Sequence, residues 1–104
     1  MSQHAAHAVH LTLDTFATSV PAKGVALLDF TAAWCPPCKA IAPHVDALAT
    51  ELEGDVFVAK VDIDENPELA ERFNVMSVPT LIFLRDGQVV ERVVGARPKS
   101  AIRA

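Results

Sequence analysis

Residues 25–43 read VALLDFTAAWCPPCKAIAP. The run from Val25 is too apolar to leave one face in water, so a strand buried on both faces is expected there. Beyond it, Ile41, Val45, Leu48 and Leu52 recur at helical spacing, which predicts a long helix from about Cys35 to Leu52. Pro36 and Pro37 fit the first turn of that helix, where backbone amides have no helical partner to lose. The strand-to-helix junction thus puts Cys35 at a helix N-terminus and Cys38 one turn further in. They are the chain's two cysteines, and their spacing leaves three readings open: a metal clip, a structural staple or a reactive thiol pair.

The rest of the chain supplies a frame around this junction. A short strand is expected at about His10 to Leu13, then a short helix over DTFATSV, where Phe16 and Val20 lie four apart. VFVAKVDID (56–64) reads as a third strand, and NPELAERF (66–73) as a helix with Asn66 as its cap and Pro67 in first position. TLIFL and VVERVV flank RDGQ, whose Asp86-Gly87 pair signals a hairpin with antiparallel strands. Strands alternating with helices imply parallel crossovers, so the fold class is α/β, a mixed central sheet with helices on both faces. A last helix starts near Pro98 and runs only about two turns to Ala104, so either a full terminal helix is lacking or the chain is truncated.

A length of 104 residues suits one domain, expected over residues 10–104 behind a flexible stretch of nine residues. The formal charge of −4 argues against nucleic acid as a partner, since such proteins usually carry a basic patch. Asp29, Lys60 and Asp62 interrupt the apolar runs, and none approaches the roughly 20 residues that span a bilayer. The start, MSQHAAHAVHL, lacks a basic leader and a continuous apolar stretch, so a cytoplasmic, monomeric protein with no membrane association is expected. His4, His7 and His10 recur every third position, yet a frayed end is a simpler reading of that terminus than a metal site. His44 reads as an ordinary surface or boundary histidine within the long helix.

Two cysteines are too few for a disulfide scaffold, and in a reducing compartment a close pair is more often redox-active or metal-binding. Structural zinc needs four ligands, but no second pair or finger-like histidine spacing is present, so no metal is expected in a monomer. A centre shared between two chains stays open. For the thiol reading, the partial positive charge and free N–H groups of a helix N-terminus favour a thiolate at Cys35. Cys35 is then the nucleophile, and Cys38, expected to be more buried and less ionised, is the resolving thiol. Pro36 and Pro37 tune the pair by removing two donors, leaving the Cys35 thiolate to rely mainly on the Cys38 amide and the helix field.

Asp29 is costly to bury and needs a role or a partner. Desolvation raises a carboxyl pKa, which suits proton exchange near neutral pH beside the cysteines. The alternative is an ion pair, for which Lys60 on the neighbouring strand is the expected cation. The two readings are compatible.

FTAAWCPPCKAIAP, KVDIDENPELAERFNV, SVPTLIFLRDG and VVGA resemble segments of the thioredoxin family, in the same order and with near-identical spacing from about residue 9 to the end. The resemblance extends beyond the cysteines to Asp29, Trp34, Lys39, Pro43 and Pro79. It implies a thioredoxin fold and reduction of protein disulfides, with Cys35 attacking, Cys38 resolving, Asp29 assisting the proton traffic of Cys38 and Lys60 tuning it. It also implies a cis-proline at Pro79, and a substrate-docking rim formed by Trp34, Val78, Pro79, Gly95 and Ala96. No bound cofactor is implied; electrons come from NADPH through a flavin-containing thioredoxin reductase, and disulfide-containing proteins are the clients. Pro36 stands where the family commonly has glycine, and Thr31 where many members have an aromatic residue. The alternatives are an extracytoplasmic thiol reductase of the cytochrome-maturation type and a non-catalytic binding or holdase module that uses the apolar rim.

Overall fold

A computed structural model describes residues 8–95. Along the chain these form β1 (Val9–Leu11), α1 (Leu13–Ser19), β2 (Val25–Thr31), α2 (Pro36–Glu51), β3 (Val56–Asp62), α3 (Pro67–Arg72), β4 (Thr80–Arg85) and β5 (Gln88–Val94). The five strands make one sheet in the order β1-β3-β2-β4-β5. β3 runs parallel to both β1 and β2, and β4 is antiparallel to β2 and β5. The mixed α/β architecture predicted from the sequence is present. The expected terminal helix at Pro98 lies outside the described residues, as do His4 and His7.

β2 is the central strand, and the alternation of its side chains builds two cores. Leu27 faces α2, packing with Ile41, Val45, Leu48, Val58 and Leu81. Ala26, Leu28 and Phe30 face the other way, toward Leu69, Ile82 and the partly buried Phe16 and Phe73 of the α1 and α3 side. Phe73 is the hub of that second core, with ring centroids 5.7 Å from Phe16 and 5.6 Å from Phe30. Burial of a side chain such as Phe30 or Leu28 contributes about 1.5–3 kcal/mol, so both faces of β2 anchor the strand that carries Asp29.

Boundaries differ from expectation where side chains intervene. β1 ends at Leu11 because the Thr12 hydroxyl caps α1, accepting from the Thr15 N–H at 3.2 Å in a reciprocal capping box. Ala8, inside the stretch expected to be flexible, is buried against the α2 core, and Val9 already pairs in β1. Asn66 sits at the N-cap of α3 but makes no capping bond. Its amide instead links three segments, accepting from the Leu13 N–H at 3.1 Å and donating to the carbonyls of Asp62 and Leu11. The hairpin turn is as expected: Asp86 and Gly87 have φ of 51° and 84°, the left-handed pair that a two-residue β-turn of this hand requires.

Candidate active site

The chemistry lies at the C-terminal end of β2, where the chain turns into α2. Cys35 is the N-cap of α2 with extended backbone, and Pro36 and Pro37 occupy the first helical positions. Cys35 and Cys38 form a disulfide, with Cα atoms 5.2 Å apart. The Cys38 N–H donates to Cys35 Sγ at 3.2 Å. This is the amide on which a first turn without other donors must depend. Restoring a donor with Pro36→Gly is expected to move the thiolate absorbance titration of Cys35 in the reduced protein to lower pH. An equal or higher midpoint contradicts the donor argument.

The expected contrast in burial between the cysteines is absent: Cys35 is 2% exposed and Cys38 3%. Burial is similar because both pack with Ala32, Ile63 and Val78. Their surroundings differ instead. Cys38 lies within the helix on the sheet-facing stripe with Ile41 and Val45, whereas Cys35 Sγ is 3.8 Å from the Val78 carbonyl oxygen in the neighbouring loop.

That loop carries Val78 and Pro79, two of the residues expected to form the docking rim. The Val78-Pro79 bond is cis, Val78 is half-buried and Pro79 buried. Gly95 closes on it from the end of β5, its N–H donating to the Pro79 carbonyl at 2.9 Å. Gly95 has φ of +96°, a conformation that side chains with a Cβ rarely adopt, which accounts for glycine there. Trp34 is 64% exposed, which rules out core packing, and its indole N–H donates to Asp64 Oδ2 at 2.7 Å. Asp64 is held by a tight turn in which Asp62 Oδ1 accepts the N–H groups of Asp64 and Glu65. Ala96 lies outside the described residues.

Asp29 is 2% exposed, and its Oδ1 has no hydrogen-bond partner. Burial pushes its pKa from the ordinary 3.8 up to about 7; Lys60 opposes the rise, and Asp46 adds to it. The ion pair expected between Asp29 and Lys60 is not the one formed. Although the two are register partners on adjacent strands, the Lys60 ammonium pairs with Asp46 Oδ1 at 3.2 Å. Asp46 reaches it from α2, a position that strand reading alone does not bring to mind. His44 is exposed, in keeping with a surface histidine.

Three residues were missed by sequence reasoning: Asp46, Asp64 and Met76. Met76 is 94% exposed, two residues before Val78. An unpaired apolar residue beside the SVPT segment was the available signal. Among the described residues, no group of three or more His, Cys, Asp or Glu side chains is placed to hold a metal ion, and no helix is long and apolar enough to cross a membrane. A cavity of about 500 Å³ between Val9, Gly24, Ala49 and Val56 lies toward the other end of β2. Trp34, the residue before Cys35, and Met76, two residues before Val78, are exposed large apolar side chains.

The family profile described as Thioredoxin matches residues 7–104. A protein named thioredoxin from Mycobacterium tuberculosis is 48% identical over 95 residues, covering 90% of this chain and 82% of its own. A thioredoxin from Staphylococcus aureus is 54% identical over 76 residues, 73% of each chain. Among solved structures, a mutant thioredoxin from Halobacterium salinarum superposes with a TM-score of 0.84 at 37% identity, covering 93% of this chain and 85% of the other.

Proposed function

The chain belongs to the thioredoxin family and is a thiol–disulfide oxidoreductase, and from that premise we propose how its residues divide the work. The observation that carries the proposal is the Cys35 sulfur at the N-cap of α2, receiving the Cys38 N–H and lying beside the Val78 carbonyl. In the reduced protein the Cys35 thiolate attacks one sulfur of a client disulfide. A mixed disulfide forms, and the other client sulfur leaves as a thiolate. Cys38 then attacks Cys35 Sγ, closing the intramolecular disulfide and releasing the second client sulfur. The client disulfide gains two electrons and the protein dithiol loses them; the disulfide state described above is the product.

Cys38 must lose a proton before it attacks, in surroundings that disfavour charge. Asp29 is the proton carrier in this reading: buried, unpartnered at Oδ1, and half-ionised near neutral pH. Lys60 tunes that carboxyl. Trp34, Val78, Pro79, Gly95 and Met76 form the docking rim, with Val78 offering backbone to an extended client segment. Ala96 belongs to the same rim by resemblance.

The clients are disulfide-containing proteins. No bound cofactor is required, because the sulfurs themselves carry the electrons. We assign the electron supply to NADPH through a flavin-containing thioredoxin reductase, and the setting to the cytoplasm; the bacterial relatives named thioredoxin support this over the cytochrome-maturation reading. In the test, catalytic amounts of the protein link a bacterial thioredoxin reductase to a disulfide client such as insulin. NADPH oxidation is expected to depend on the protein. A strongly oxidising equilibrium potential against glutathione, together with no reductase turnover, overturns the reductase assignment.

A further inference from the structure

We propose that Asp46 is a positioning residue for the buried acid: from α2 it holds the Lys60 ammonium away from Asp29 and so leaves the Asp29 carboxyl unpaired. The geometry is specific. Asp29 and Lys60 are direct register partners on β2 and β3, so they project from the same face of the sheet, the face that α2 covers. A lysine in that position has a buried carboxylate within its natural reach. Its ammonium is nevertheless 3.2 Å from Asp46 Oδ1, and Asp29 Oδ1 remains without a hydrogen bond.

Asp46 is itself fixed in place. It lies eight residues after Cys38, just over two turns along α2, and its Oδ1 also accepts the Ala8 N–H at 3.4 Å where the chain enters β1. One helix thus carries the resolving thiol on its first turn and the lysine's partner two turns later. The ion pair is partly exposed, with side-chain exposures of 13% for Lys60 and 33% for Asp46, where water reduces the cost of charge. Asp29 is left on the dry side.

The charged and titratable groups around Asp29 are few among the described residues. Lys60 faces it from β3, and Asp46 comes from α2. Leu81, its partner on β4, is uncharged, while His10 lies one strand beyond, in register with Lys60. Two effects of Asp46 act in the same direction. Its own charge disfavours a second carboxylate nearby, and its grip on Lys60 keeps that cation, which still lowers the Asp29 pKa, from pairing directly with it. Without Asp46, a Lys60–Asp29 pair would shift the acid toward its ionised form and reduce the protonated fraction at neutral pH.

This inference rests on the reading of Asp29 as the proton carrier, but its test reads the carboxyl directly. The side-chain carboxyl of Asp29 is titrated by carbon NMR in the full-length reduced protein and its variants. Asp46→Asn is expected to lower the Asp29 midpoint by about one pH unit. In a Lys60→Gln background the same change is expected to lower it by less than half as much, because only the direct repulsion is then lost. Asp46→Glu, which keeps the charge, restores a midpoint near that of the unaltered protein. An unchanged midpoint in Asp46→Asn, or equal shifts with and without Lys60, overturns the proposal. If the midpoint moves as expected but the pH profile of client reduction does not, the proton-carrier reading fails while the positioning role stands.

Discussion

Cys35→Ser is expected to lower disulfide reduction by at least about a thousandfold, because a serine hydroxyl is not ionised at neutral pH and the thiolate is the attacking species. The fold should tolerate the change. Cys35 packs in a small cluster with Ala32, Cys38, Ile63 and Val78, away from the two large cores, and its backbone role as N-cap is one that serine fills well. The assay is reduction of insulin disulfides with dithiothreitol as electron donor, set beside circular dichroism to verify folding. Near-normal catalysis by the serine variant would remove Cys35 from the mechanism and favour a binding module acting through its rim.

Asp29→Asn is expected to stabilise the protein at alkaline pH while slowing reduction. The carboxyl titrates at an ordinary 3.8 once unfolded and at about 7 in the fold. Between those values the folded state holds a proton that the unfolded state has lost. Stability therefore falls as pH rises through this window, and the loss is complete above the folded value. The difference corresponds to a penalty on the order of 4 kcal/mol at pH 8, absent below the unfolded value and absent at every pH in the asparagine variant. Denaturant unfolding at acid and alkaline pH measures this directly. The unaltered protein should lose stability toward pH 8, and Asp29→Asn should lose much less. Equal pH dependence in the two proteins would mean that the carboxyl is paired or solvated at neutral pH. Keeping a buried acid thus costs stability, which a role as the proposed proton carrier would account for.

Much of this arrangement was legible in the sequence. The apolar run at Val25, the helical spacing from Ile41 to Leu52 and the Asp86-Gly87 turn each rest on local physics, and each of these elements forms. Asp29 could be recognised as buried because its neighbours leave the strand no solvent face. What could not be read were contacts between elements distant in sequence. Lys60 is nearest to Asp29 in any strand-pairing scheme, but the α2 helix lying across the sheet brings Asp46 within reach, and the lysine takes the better-solvated carboxylate. Asn66 has every local mark of a helix cap, yet three backbone groups from β1, α1 and β3 engage its amide instead. The cis bond at Pro79 could be expected only through the family resemblance, since local sequence suggests no more than a proline at a strand start. A single exposed methionine carries no local signal, and only its place two residues before Val78 singles Met76 out.

The central claim is that the two sulfurs have unequal roles, and mixed-disulfide trapping tests it most directly. Cys38→Ser, reduced and then mixed with insulin under non-reducing conditions, is expected to accumulate a stable covalent adduct that peptide mass spectrometry maps to Cys35. Cys35→Ser, keeping Cys38, is expected to form little adduct under the same conditions. Accumulation on Cys38, or equal trapping by both variants, would contradict the account.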